Sequence, residues 1–128
     1  MLSRRSILIV VATAAAVSPA FAASPQPFNA QAFADAQKAG KPILIAIHAS
    51  WCLTCKAQTP ILNELTNDPK FKNLVYFVVD FDSQKDLVRR FGARAQSTPI
   101  AFKGDKEQGR TAGDTTRASI AALLNKTL

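Results

Sequence analysis

The chain of 128 residues is poor in the side chains that usually announce chemistry: one histidine, two cysteines, one methionine, one tryptophan and one tyrosine. With a single imidazole and two thiols it is short of the donors that a dedicated, closed metal site assembles. A passive bridge between Cys52 and Cys55 would close only a four-residue loop. Such a bridge gains under roughly 2 kcal/mol by the chain-entropy argument and pins no distant elements together, so stapling explains the pair poorly. The longest apolar run near the start, Ile7 to Val17, has 11 residues, too few for a bilayer-spanning helix, which needs about 20. There is no internal repeat and no low-complexity segment. Basic residues exceed acidic ones, but Lys85, Arg89, Arg90 and Arg94 are their only local concentration, with Phe91 the single aromatic among them. That pattern is a solvated helix face rather than a nucleic-acid patch.

The N-terminus has the layout of a cleaved targeting segment. Arg4-Arg5 forms a basic start, Ile7 to Val17 an apolar centre, and Ala20-Phe21-Ala22 a small-x-small cleavage site. Residues 1–22 are therefore expected as a signal peptide, 23–27 as a linker and 28–128 as the folded domain. Ser3-Arg4-Arg5 also fits a twin-arginine signal, so the general secretory and twin-arginine routes both stay open. The expected destination is the periplasm or the exterior, with no membrane span after cleavage. Without Arg4 and Arg5, 14 of the 16 basic residues remain against 9 acidic ones, a net charge of +5. The residual length suffices for one core but not two, and a monomer is expected.

Alternating elements follow. Asn29 is placed to cap a helix over Ala30 to Ala39 that Gly40 ends. Ile43 to Ala49, apolar on both faces, predicts a strand buried on both sides. A helix from about Cys52 to Thr66 carries Ile61, Leu62 and Leu65 at core spacing, with Pro60 in its interior as a kink. Leu74 to Val79 predicts a second buried strand, and Ser83 to Phe91 a short helix stopped by Gly92. Strand, helix and strand at this spacing make a right-handed parallel crossover. Ile100 to Lys103, Gly104-Asp105 and Gln108 to Thr111 predict a hairpin, and Asp114 caps a last helix carrying Ile120, Leu123 and Leu124. The fold class is α/β, a mixed sheet flanked by helices.

The chemistry gathers at Trp51-Cys52-Leu53-Thr54-Cys55-Lys56. A strand ends just before this Cys-x-x-Cys and a helix follows, which sets the first sulfur at a helix N-terminus. Unsatisfied N–H groups and the helix dipole there stabilise a thiolate, lowering its pKa from the free value of about 8.5. The expected chemistry is reversible thiol–disulfide exchange, with no cofactor and no metal.

Trp51-Cys52-x-x-Cys55-Lys56 with Pro60-Ile61-Leu62, and Phe91-Gly92-Ala93-Arg94 ahead of the hairpin, make nearly the whole mature domain resemble the thioredoxin family. The resemblance implies that Cys52 is the exposed attacking thiolate and Cys55 the resolving thiol, with Trp51 shielding the pair. It also implies protein thiols or disulfides, and an upstream redox partner, as the molecules it meets.

Three departures from the family pattern stand out. The buried Asp and Lys that family members often use to handle the resolving thiol's proton fall on Ala46 and Val78. His48, four residues before Cys52, is the candidate proton shuttle in their place, or a space-filling residue. Leu53-Thr54 replaces the Gly-Pro of thioredoxin, so the direction of electron flow does not transfer, although the reducing side is expected. Finally, ungapped threading puts Ser97 where the family has its cis-proline, leaving Pro99 inside the strand at the cost of a strand N–H. A two-residue insertion would instead restore Thr98-Pro99 as the cis bond. The ungapped threading is preferred, and either way Ser97, Thr98 and Pro99 belong with Trp51 to the substrate groove. The competing reading is a thioredoxin-fold binding or Cu(I)-handling protein without efficient turnover, using Cys52, Cys55 and His48 as soft donors.

Overall fold

A computed structural model describes residues 12–14 and 23–128. Within them a five-stranded mixed sheet is ordered β1-β3-β2-β4-β5. The strands are β1 (Pro25–Pro27), β2 (Pro42–His48), β3 (Val75–Asp80), β4 (Thr98–Lys103) and β5 (Lys106–Arg110). The helices are α1 (Ala30–Lys38), α2 (Leu53–Thr66), α3 (Lys85–Arg90) and α4 (Arg117–Asn125), with a short 3-10 turn at Pro69–Phe71. β1, β3 and β2 run parallel, and β4 and β5 turn back antiparallel as the hairpin. This is the α/β thioredoxin fold that the sequence predicts. The expected signal peptide lies outside the described residues except for 12–14. Among the described residues no helix is long and apolar enough to cross a membrane.

β2 runs through the centre of the sheet because its residues are apolar on both faces. Ile43, Ile45 and Ile47 pack into one layer with Phe33, Phe77, Phe91 and Phe102, beneath α1 and α3. Leu44 and Ala46 face the other layer with Leu62, Tyr76, Ile120 and Leu124, beneath α2 and α4. The first layer is a cluster of aromatic rings, with Phe33 meeting Phe77, Phe91 and Phe102 edge to face at 5.5 to 6.2 Å between centroids. Such edge-to-face pairs add about 0.5–1.5 kcal/mol each beyond their buried area.

The ends of the helices follow the local chemistry. Asn29 caps α1, its side chain accepting the Ala32 N–H at 2.8 Å. Asp114 works from two residues ahead of the α4 N-cap, Thr116: its carboxylate accepts the Thr116 N–H at 2.8 Å and the Ser119 hydroxyl.

One expectation is corrected here. Pro25–Pro27, inside the segment expected as a linker, pairs in parallel with Tyr76 to Val78. Phe28 donates its N–H to the Val78 carbonyl at 3.0 Å. Backbone groups alternate along a strand, so Gln26 faces β3 with Phe28 while Pro25 and Pro27 face outward. On that outer edge a missing N–H costs no ladder bond, and the two prolines also blunt the edge against pairing with another chain.

Candidate functional site

The site forms where β2 stops. After His48 the chain turns, Cys52 donating its N–H to the Ala49 carbonyl at 3.2 Å, and α2 begins at Leu53. Cys52 is the N-cap residue: its backbone is extended (φ −81°, ψ 115°) and its Sγ accepts the Cys55 N–H at 3.1 Å. A sulfur thus holds the place usually taken by a Ser, Thr or Asp oxygen. It does so best as a thiolate, because the acceptor then carries the charge that the helix end favours.

The two thiols, both reduced here, are pushed apart by these surroundings. Burial alone would raise Cys52. Hydrogen bonds from the Cys55 thiol and N–H, the Gln96 side chain and the Thr54 backbone outweigh it and hold Cys52 below the ordinary thiol value. Cys55 is pushed up, first by burial and then by its bond to Cys52, against smaller downward pulls from the Ala49 backbone and the Ser97 hydroxyl. One sulfur is therefore poised to attack while the other keeps its proton.

Exposure does not separate them, contrary to the expectation that Cys52 is the exposed one. Cys52 is 2% and Cys55 1% exposed, packed with Ala49 under Phe81. The exposed groups are their neighbours, Trp51 at 57% and Leu53 at 78%. Trp51 is held in place by its indole N–H, which donates to Asp82 at 2.6 Å. Asp82 is itself positioned by Asp80, whose carboxylate accepts the N–H groups of Asp82 and Ser83, each at 2.9 Å. Those bonds, the Ser83 backbone first, draw the Asp80 carboxyl down.

His48 ends β2 in register with Asp80, and its charge adds a small further pull on that carboxyl. The family's two relay positions are filled by Ala46 and Val78, register partners in adjacent strands. Among the described residues no three His, Cys, Asp or Glu side chains converge as a metal site.

The hairpin side of the site follows the ungapped threading. No described peptide bond is cis, and Ser97 adopts φ +58°, the one non-glycine residue described with positive φ. Pro99 lies in β4 opposite Ala46. Its carbonyl accepts the Thr111 N–H at 3.3 Å, so its missing N–H also points towards the β5 side and the β2–β4 ladder loses nothing. The expected cost of a strand N–H therefore falls on the β5 side, where Pro99 cannot return a bond to Thr111. Thr98 donates its hydroxyl to the Ala95 carbonyl at 2.9 Å, shaping the loop that carries Ser97.

Sequence reasoning missed Gln58. It is 3% exposed on the buried stripe of α2, one turn past Cys55. Its side-chain amide donates to the carbonyls of Asp114 at 2.8 Å and Ser97 at 3.3 Å. The signal was a polar residue at core spacing, three after Cys55 and four before Leu62.

A reactive thiol capping a helix, a protonated partner one turn on, and a mixed five-stranded sheet behind them define a dithiol–disulfide exchange centre. The family model described as Thioredoxin matches residues 24–126. The crystal structure of Trxlp from Edwardsiella tarda superposes with a TM-score of 0.76 at 35% identity, covering 79% of this chain and 98% of that one. Thioredoxin of Pseudomonas aeruginosa is 30% identical over 71% of this chain and 83% of its own. Thioredoxin Asp f 29 of Aspergillus fumigatus is 29% identical over 68% and 79%. The chain belongs to the thioredoxin family and is a thiol–disulfide oxidoreductase.

Proposed function

We propose that this protein is exported and reduces disulfides in client proteins, Cys52 attacking and Cys55 resolving. The observation that carries the assignment of roles is the opposite displacement of the two thiols at one helix end. The Cys52 thiolate attacks a client sulfur, forms a mixed disulfide and releases the other client sulfur as a thiolate that takes up a proton. Cys55 then attacks Cys52, the Cys52–Cys55 bond forms, and the remaining client sulfur leaves and is protonated. The client gains two electrons and the Cys pair loses them, so an upstream dithiol must restore the pair.

Burial of both sulfurs confines attack to a client that reaches the rim formed by Trp51 and Leu53. Export is supported by the basic, apolar and small-residue blocks of residues 1–22, which lie ahead of the family match that starts at Ser24.

The test is a Cys55→Ser variant expressed with its full N-terminus. It should accumulate client mixed disulfides through Cys52 in the periplasmic fraction, on a protein whose mass begins at Ala23. Absence of trapped clients would refute turnover, and an uncleaved cytosolic protein would refute export.

A further inference from the structure

The mechanism leaves a buried polar group without a task. Ser97 is 2% exposed, and its hydroxyl is one of two buried side-chain polar atoms described that have no hydrogen-bond partner. A buried hydroxyl left without a partner is costly. It also sits on left-handed backbone at φ +58°, which strains a non-glycine residue. Two unfavourable features at one residue beside the reacting sulfurs call for a use in another state of the site.

The surroundings say which state. Ser97 lies just ahead of Thr98, the residue paired with Ile47 near the end of β2, and so at the edge where α2 starts. Its carbonyl is fixed from two sides, by the Gly113 N–H at 2.8 Å and by Gln58, one helical turn past Cys55, at 3.3 Å. The hydroxyl so held makes no hydrogen bond to the neutral Cys55 thiol, yet it favours the Cys55 thiolate against burial. Ala46 and Val78 supply no ionisable group beneath that sulfur. On the elements around it the ionisable side chains are Cys52 at the α2 cap, the exposed Lys56 and Glu64 of α2, His48 of β2, Tyr76 and Asp80 of β3, the exposed Lys103 of β4, and Asp114 ahead of α4. Of these, Asp80 and Asp114 are occupied by N–H groups of their own turns.

We propose that the Ser97 hydroxyl donates a hydrogen bond to the Cys55 thiolate as that sulfur attacks the Cys52 mixed disulfide. The idea rests on the resolving role assigned to Cys55. Cys55 gives up its proton, which ends on the departing client thiolate; Ser97 keeps its own throughout and stabilises the anion in between. The hydroxyl is unpaired while Cys55 is a neutral thiol, a weak acceptor, and finds its partner when the thiolate forms. A hydrogen bond to a charged group is about twice as strong as one between neutral groups. The resolving step thereby gains stabilisation of its anion where Ala46 and Val78 offer no ionisable group.

The two steps can be watched separately with 5,5′-dithiobis(2-nitrobenzoate) and the reduced protein. Attack by Cys52 releases one coloured thiolate, and attack by Cys55 on the resulting mixed disulfide releases the second. In Ser97→Gly and Ser97→Ala the first release should stay within about twofold of the parent. The second should slow about tenfold at pH 7, with its rising pH limb displaced upward by about one unit, as expected for one lost hydrogen bond to an anion. Glycine accepts positive φ without strain, so it separates loss of the hydroxyl from damage to the backbone. Parental second-phase rates in either variant, or a slowed phase in Ala alone, would overturn the proposal while leaving the oxidoreductase intact. A parent that releases only one equivalent would instead bring down the resolving role of Cys55, and this inference with it.

Discussion

Gln58 ties three parts of the molecule together, and replacing it by leucine should loosen all three. Leucine is similar in size and suits a position 3% exposed, so little cavity is created and the effect isolates the amide. Two hydrogen bonds disappear. The Ser97 carbonyl keeps the Gly113 N–H at 2.8 Å, so its loss is an ordinary one of about 1 kcal/mol. The half-buried Asp114 carbonyl has no second donor among the described hydrogen bonds and loses its partner, at about 1–3 kcal/mol and less where water reaches it. The sum is about 2–4 kcal/mol, which for a domain of this size lowers Tm by roughly 10–25 °C. Urea titration of the oxidised protein reads the first quantity and calorimetry the second. The release of the Ser97 loop should also slow resolution by Cys55, whereas Cys52 alkylation should hold its parental rate because the N-cap bond lies upstream. A loss below about 0.5 kcal/mol, typical of a surface site, would refute the reasoning.

At pH 7 iodoacetamide should modify Cys52 at least tenfold faster than Cys55, on protonation state rather than exposure; equal rates, read by mass spectrometry of peptides, would remove the asymmetry on which the mechanism depends. In the reduced protein stability should fall as pH rises above the ordinary thiol value of 9.0, because the unfolded chain releases a Cys55 proton that the folded one retains. The slope approaches about 1.4 kcal/mol per pH unit. Cys52 has the opposite sign: its lowered value adds stability as pH rises from its folded pKa to 9.0, and a constant amount beyond. Burial also pushes Tyr76 up to about 12, so a further loss begins above about pH 10. The oxidised protein should show only the Tyr76 part, and urea midpoints of the two forms between pH 8 and 11 that run parallel would contradict this.

The parts of the fold that sequence could reveal are those whose signal is local. Ile43 to Ile47 is apolar on both faces wherever it sits, and a Cys-x-x-Cys between a strand and a helix is a cap whatever lies opposite. What stayed hidden depends on direction or on distant segments. Pro25 and Pro27 read as breakers because their outward alternation is set by pairing with β3. Pro99 carried a predicted cost whose side was hidden: the register turns its missing N–H away from β2 and towards Thr111. Cys52 was expected to be exposed because the family resemblance implies it; the cover comes from Phe81, 29 positions on. Gln58 read as a polar residue on a helix because its two acceptors lie 39 and 56 residues away.

One atom joins the fold to the reaction. Cys52 Sγ is both the nucleophile and the acceptor that starts α2, so each turnover changes the cap. As a thiolate it is a charged acceptor for the Cys55 N–H; in a mixed disulfide it is neutral and accepts weakly. The helix end therefore stabilises the reduced pair against the disulfide, which makes the pair a milder reductant than it would be with a weaker cap. Leu53 and Thr54 fill the first turn between the cap and Cys55, and the Thr54 backbone already contributes to holding Cys52 down. Any change there that strengthens or weakens those N–H contacts shifts the redox poise directly, at about 30 mV for each 1.4 kcal/mol. That sensitivity is why the dipeptide between the cysteines, rather than the sheet behind them, sets how strongly this protein reduces.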